Sequence, residues 1–114
     1  MAAAPHTLYA ESPDGTRQPV IKAGAALPAS GRVMYATSRA GQTEAILDLW
    51  EEDRPLGRAR FELPRGLPPN TWLAIELSVG PDLRVRAELR ENLRRIRQDA
   101  RFDGTGAAAH DYWT

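Results

Sequence analysis

Residues 71–79 read Thr-Trp-Leu-Ala-Ile-Glu-Leu-Ser-Val, and this stretch decides the fold class of the 114-residue chain. The apolar residues Leu73, Ile75, Leu77 and Val79 occupy every second position. Alternation with a period of two is typical of a β-strand that buries one face and exposes the other. The sequence therefore predicts a half-buried strand here.

Similar segments lie on both sides of this strand and are separated by turns rich in glycine, proline and aspartate. The predicted strands cover residues 7–12, 17–21, 31–38, 42–50, 56–63, 71–79 and 83–87. Short alternating strands with frequent turns are typical of antiparallel sheets, and a chain of this length holds one core. We expect an all-β protein, mainly an antiparallel β-sandwich of about seven strands, over residues 7–87.

The first hairpin contains two informative residue types. Asp14-Gly15 supplies the positive φ angles of a tight turn. Pro19 has no N–H to donate to a sheet ladder, so its strand should lie at a sheet edge or turn this position away from its neighbour.

The hydrophobic period changes in residues 88–103. Leu89, Leu93, Ile96 and Ala100 are four, three and four positions apart, which predicts one C-terminal amphipathic helix. Its apolar stripe would pack on the sandwich or against a second copy of the chain, giving a homodimer. We expect an N-terminal tail at residues 1–6 and a flexible tail at 104–114.

Composition excludes several classes of function. Fifteen basic and fifteen acidic residues cancel, so no long-range potential draws the domain to nucleic acid or to an anionic membrane. No window approaches the ~18 apolar residues of a membrane span. The chain has no cysteine, which fits a reducing compartment. We expect a soluble cytoplasmic protein, and nucleic-acid binding by the arginines of residues 84–101 is a weaker alternative.

Catalytic and metal-binding patterns are also missing from the sequence. His6 and His110 lie near opposite ends, without the spacing of metal ligands. The serines lack a nucleophile-elbow context, and no glycine-rich phosphate loop leads from a strand into a helix. We expect no enzymatic activity, no metal and no cofactor.

Several landmarks in the sequence follow one order without insertions in the first half. They are Leu8-Tyr9-Ala10-Glu11-Ser12, Val20-Ile21, Leu27-Pro28, Tyr35-Ala36-Thr37, Gln42, Leu56-Gly57 and Gly66-Leu67-Pro68-Pro69. In this order residues 7–87 resemble the substrate-binding β-subdomain of the 70-kDa heat-shock chaperones, the DnaK type. The resemblance implies a sandwich that binds extended apolar peptide segments, here without an ATPase domain or a full helical lid.

The resemblance also implies which residues would form the peptide cradle. They are Ala10, Glu11, Ser12, Pro13, Tyr35, Ser38, Gln42, Ala45 and Leu47. Pro13 and Ser38 stand where family members form an arch over the peptide. The Gln42 amide can donate to a ligand carbonyl and accept from a ligand amide. Tyr35, Ala45 and Leu47 would line a pocket, or they are plain sandwich core, because inward-facing residues look alike in both roles.

The sequence thus favours a non-enzymatic module that binds a peptide or protein segment, either excised from a longer chaperone-like protein or standing alone as an adaptor. The alternative is an assembly domain whose sandwich is scaffold and whose helix mediates self-association or partner docking through Leu89, Leu93 and Ile96. Trp50 and Trp72 fall on outward strand positions, where they are exposed anchors for a partner or cover the edge of the core.

Overall fold

The computed structural model describes residues 3–12, 15–102 and 109–111, with the residues from 101 onward described as backbone. The described chain is all-β and forms two antiparallel sheets. The strands are β1 (Leu8–Glu11), β2 (Arg17–Ile21), β3 (Ala29–Ala36), β4 (Glu44–Glu51), β5 (Arg54–Glu62), β6 (Trp72–Val79), β7 (Arg84–Glu91), β8 (Ile96–Asp99), β9 (Arg101–Phe102) and β10 (Ala109–Asp111). The predicted all-β class is confirmed, and β1 to β7 lie where the alternation predicted seven strands.

Each sheet has five strands within the described residues. Sheet one has the order β2-β1-β4-β5-β9, and sheet two has the order β10-β7-β6-β3, with β8 also pairing with β7. Among the described strands β2 pairs only with β1 and β3 pairs only with β6, so both lie at sheet edges. The edge position predicted from Pro19 is therefore confirmed.

The core lies between the two sheets and follows the alternation read from the sequence. Phe61, Leu47 and Leu49 of sheet one, and Leu73, Ile75 and Leu77 of sheet two, have no exposed surface. Their neighbours along each strand are exposed or half-buried. Burial of these side chains is the main favourable term in folding, because each apolar side chain removed from water contributes about 1.5–3 kcal/mol.

The predicted C-terminal helix over residues 88–103 is not found in the described part of that segment. Residues 84–91 form β7, residues 92–95 form a turn, and residues 96–99 form β8. The alternation of Val85 and Ala87 continues through the fully buried Leu89. The helix prediction was wrong because the four-three-four spacing included turn residues, which lie between two strands and do not belong to one regular element. The Glu91 carboxylate holds this turn by accepting from the Leu93 and Arg94 amides, each at 2.8 Å.

The two ends of the described chain are tied to the sandwich. Ala4 is buried and its amide donates to the Ala25 carbonyl at 2.9 Å, so the predicted tail at 1–6 is docked from residue 3 onward. Residues 109–111 of the predicted tail at 104–114 pair with β7, whereas 103–108 and 112–114 lie outside the described residues. Within the described residues, no helix is long and apolar enough to cross a membrane.

β2 and β3 come into van der Waals contact at one point, although they belong to different sheets. A Cβ atom on Gly31 would lie 2.5 Å from the carbonyl oxygen of Val20 and 2.6 Å from its Cγ1. Only glycine therefore fits at this point of β3 without a backbone shift. The contact fixes the distance between the two free edges.

We expect Gly31→Ala to lower the free energy of unfolding by about 1–3 kcal/mol, the usual cost of overpacking, because the Val20 backbone has to move. Chemical denaturation monitored by tryptophan fluorescence measures the change. Ser30→Ala, at the exposed neighbouring position, is the control and should shift stability by less than about 0.5 kcal/mol. Equal stabilities of wild type and Gly31→Ala would contradict the close approach.

Acid should weaken the β7–β8 pairing through Glu88. The guanidinium groups of Arg97, whose Nε lies 3.0 Å from the carboxylate, and of Arg90 hold the pKa of Glu88 below its ordinary value of 4.5. A depressed folded pKa stabilises the protein above the unfolded value, and this contribution disappears as pH falls through the folded pKa.

As the pH falls below about 4.5, the free energy of unfolding of the Glu88→Gln variant should therefore decrease less than that of wild type. The difference should be at most about 1 kcal/mol, because the ion pair lies near the surface. Urea denaturation across this pH range measures the difference. Glu62→Gln, an exposed carboxylate on β5, serves as the control and should follow the wild-type profile. Parallel profiles for wild type and Glu88→Gln would disprove the assignment.

Candidate functional site

A groove of about 600 Å³ lies between the free edges of β2 and β3, and we call it the β2–β3 groove. One wall comes from the β1–β2 hairpin and the other from β3 and the start of β6. Its lining residues are Ser12, Thr16, Gln18, Arg32, Met34, Tyr35, Ala36, Thr37, Ser38, Asn70 and Trp72.

Backbone groups of β3 point into this groove at alternate residues. The Thr37 amide donates to the Thr71 carbonyl at 3.0 Å, in continuation of the β3–β6 ladder. Along an antiparallel strand the backbone N–H and C=O groups of successive residues point alternately toward the partner strand and away from it. The β3–β6 register has no irregularity that would interrupt this alternation. The N–H and C=O groups of Arg32, Met34 and Ala36 are therefore directed away from β6, toward an edge on which no described strand pairs with β3.

The same three residues place their side chains on the outer face of sheet two. Met34 is 47% exposed, and Trp72, which is opposite Ala36 in the register, is 61% exposed. Among the described residues only these two and Leu93 are large hydrophobic side chains with high exposure. An apolar patch therefore borders the free edge of β3.

A buried amide holds the loop that follows β3. The Gln42 side-chain nitrogen donates to the Tyr35 hydroxyl at 3.0 Å and to the Glu44 carbonyl at 2.7 Å. Its oxygen accepts from the Ser38 amide at 2.9 Å and from the Ser38 hydroxyl at 3.3 Å. Both donors and the acceptor are thus used inside the protein, so Gln42 positions Ser38 at the groove rather than facing a ligand.

Threonine hydroxyls hold the far end of the groove. The Thr37 hydroxyl donates to the Pro68 carbonyl at 2.8 Å and accepts from the Thr71 amide at 2.9 Å. The Thr71 hydroxyl donates to the same carbonyl at 2.7 Å. The loop at residues 64–70 is therefore fixed against the end of β3, and this places Asn70 at the groove.

The structure separates the nine predicted cradle residues. Ser12, Tyr35 and Ser38 line the groove, although Tyr35 is only 6% exposed. Glu11 is half-buried and forms an ion pair with Arg17 at 3.4 Å. Pro13 lies outside the described residues. The remaining four are buried and do not line the groove: Ala10, Gln42, Ala45 and Leu47.

The predicted docking stripe is not brought onto one surface. Leu89 is fully buried in β7, Leu93 is 84% exposed in the turn, and Ile96 packs at the rim of the core. Trp50 also differs from Trp72, because the Arg17 guanidinium lies 4.0 Å from the Trp50 ring centroid and covers it. Trp72 is thus the better exposed of the two tryptophans.

Sequence reasoning missed most of the groove wall. Gln18, Arg32, Met34 and Asn70 were not assigned to a site, because they carry no catalytic motif. For Gln18, Arg32 and Met34 the available signal was an outward position on a strand, together with a proline at an edge, whereas Asn70 lies in a loop. Such a pattern identifies residues on the outer face of a sheet, but it does not show which of these residues lie next to a free sheet edge.

In the described part of the chain, no group of three or more histidine, aspartate or glutamate side chains is placed to hold a metal ion. Comparison of the sequence with models of known protein families, and with curated proteins, finds no match.

Replacement of Gln42 by alanine should lower the free energy of unfolding by about 1–3 kcal/mol, because buried groups lose their hydrogen-bond partners. Amide hydrogen exchange should also speed up at Ser38, whose N–H bonds to the Gln42 side chain. Gln18→Ala, at an exposed position of β2, is the matched control and should leave both quantities nearly unchanged. Unchanged exchange at Ser38 in Gln42→Ala would contradict the bracing role.

Proposed function

We propose that this chain is a non-enzymatic module that binds an extended peptide or protein segment, which adds as a strand to the free edge of β3. The observation that carries the proposal is that the edge of β3, which pairs with no further described strand, lies beside exposed apolar side chains. Arg32, Met34 and Ala36 direct backbone donors and acceptors into the groove, and Met34 and Trp72 border it.

Strand addition is a common way for proteins to bind extended segments. Main-chain hydrogen bonds supply affinity that does not depend on sequence, and side-chain contacts at alternate positions supply specificity. The groove offers both elements. A ligand strand would bond to β3 and place every second side chain beside Met34 and Trp72.

Of the two edges that border the groove, β3 is the better acceptor. The Ser12 amide donates to the Thr16 carbonyl at 2.9 Å, so alternate residues of β2 bond to β1 and Pro19 falls at a position facing the free edge. Proline cannot donate there, and proline at an edge discourages strand pairing. We therefore place the ligand against β3.

The chaperone resemblance supports the same general function with a different pocket. The loops that it assigns to the cradle contribute Ser12 and Ser38 to the groove. Ala45 and Leu47, assigned to a central pocket, are fully buried. We propose that the apolar side chain of the ligand rests on Met34 and Trp72 instead, and that the module works in the cytoplasm.

Peptide backbone methylation tests strand addition directly. A labelled, extended apolar peptide should bind saturably in a fluorescence-anisotropy titration. N-methylation at alternate residues should abolish binding in the register whose N–H groups face β3, whereas methylation in the other register should have little effect. Equal loss, or no loss, in the two registers would reject this binding mode.

The Ala36→Pro variant supplies the protein side of that test. It removes the Ala36 N–H, which faces the groove and does not bond to β6. The affinity for the peptide should therefore fall about 2- to 12-fold, which corresponds to the loss of one hydrogen bond. Pro19→Ala, which restores a donor on β2, is the control and should bind as wild type does.

Sedimentation of the unliganded protein tests whether the free edge of β3 pairs with a second copy of the chain. Formation of a dimer that excludes peptide would favour an assembly domain.

A further inference from the structure

Among the described residues that line the β2–β3 groove, one carries a charge. This residue is Arg32, and the other ten described lining residues are neutral. Arg32 is exposed and forms no ion pair with any described residue, although Glu76 lies opposite it in the β3–β6 register. Arg32 is therefore a cation without an ion-pair partner in the described chain, at one end of a groove whose other described lining residues are neutral.

Two further arginines do not line the groove but lie in the loops that supply Ser38 and Asn70 to its opposite end. Arg39 lies in the loop after Ser38, and Arg65 lies in the loop before Asn70. These loops are joined by a hydrogen bond of 2.9 Å from the Gly41 amide to the Leu67 carbonyl. Both arginines are exposed, and neither forms an ion pair within the described chain.

Arginines on the outer face of sheet one behave differently. Arg58 bonds to Asp48 at 2.7 Å, and Arg60 bonds to Glu44 at 2.8 Å. Their charge is already compensated within the sheet, in contrast to the positive charge around the groove. Complementary charge across an interface determines which partners bind more than it determines raw affinity.

We propose that the groove selects extended segments in which an acidic residue and an apolar residue stand two positions apart. This inference rests on the strand addition proposed above. Arg32 and Met34 are two positions apart and point to the same outer face. Side chains directly opposite on paired strands interact. An acidic ligand side chain would meet Arg32 while the apolar one packs on Met34 and Trp72.

Three labelled peptides test the charge preference. They share one apolar residue and carry aspartate, asparagine or lysine two positions away. Affinity for the wild-type protein should fall in that order, by about 2- to 5-fold per step, which is the range of an exposed ion pair. At about 1 M salt, where charges are screened over ~3 Å, the order should disappear.

A fourth peptide tests the spacing. It carries the aspartate one position from the apolar residue, so that the carboxylate points to the opposite face of the ligand strand. This peptide should bind no better than the asparagine peptide. Binding equal to that of the first peptide would show that the charge acts without strand register, and would overturn the proposed motif.

Charge reversal at Arg32 completes the test. Arg32→Glu should invert the order, so that the lysine peptide binds best. Arg95→Glu is the matched control, because it changes the net charge equally at an exposed position in the turn between β7 and β8, with β6 and β7 between it and β3. Circular dichroism verifies that both variants fold.

The outcomes separate this inference from the proposed function. Equal binding of the aspartate, asparagine and lysine peptides, or an unchanged order in Arg32→Glu, would overturn the acidic preference and leave strand addition standing. An inverted order in Arg95→Glu would assign the preference to net charge and reject the role of Arg32. Failure of every peptide to bind would reject strand addition, and the acidic preference with it.

Discussion

The structure around the groove depends on one constraint of antiparallel strands, the shared period of side-chain direction and backbone hydrogen bonding. In β3 the residues that bury their side chains, Val33 and Tyr35, are those that bond to β6. Arg32 and Met34 expose their side chains and turn their backbone groups to the free edge. One alternation thus builds the core and presents a binding edge beside exposed side chains.

Several contacts hold this edge in place. Gly31 lets Val20 of β2 approach β3 closely, and the proline at position 19 blunts the edge of β2. Gln42 satisfies the backbone and hydroxyl of Ser38, which defines the loop after β3. The groove is therefore bordered by fixed backbone, and a ligand strand would meet a preorganised edge, which lowers the entropic cost of binding.

Local alternation predicted β1 to β7 well, because each strand buries one face and the spacing of apolar residues records that burial. The end of the chain was harder. Leu89, Leu93 and Ile96 have helical spacing, yet the turn held by Glu91 separates them, and only the pairing of β8 with β7 reveals it. Periodicity cannot distinguish one helix from two short strands when a tight turn is counted within the period.

By itself the sequence determined the strand-rich class and the approximate positions of β1 to β7, since period-two alternation acts locally. Pro19, which has no N–H, limited β2 to an edge or to turning this position away from its neighbour. The end of β7 at Glu91 and the strand after it were not predicted. The tertiary structure alone decided which inward residues are core and which outward residues border a groove. Ala45 and Leu47 lie between the sheets, whereas Met34 and Trp72, about forty positions apart in the sequence, line one groove from the paired strands β3 and β6. Strand pairing over such separations brings together residues whose proximity no local pattern records.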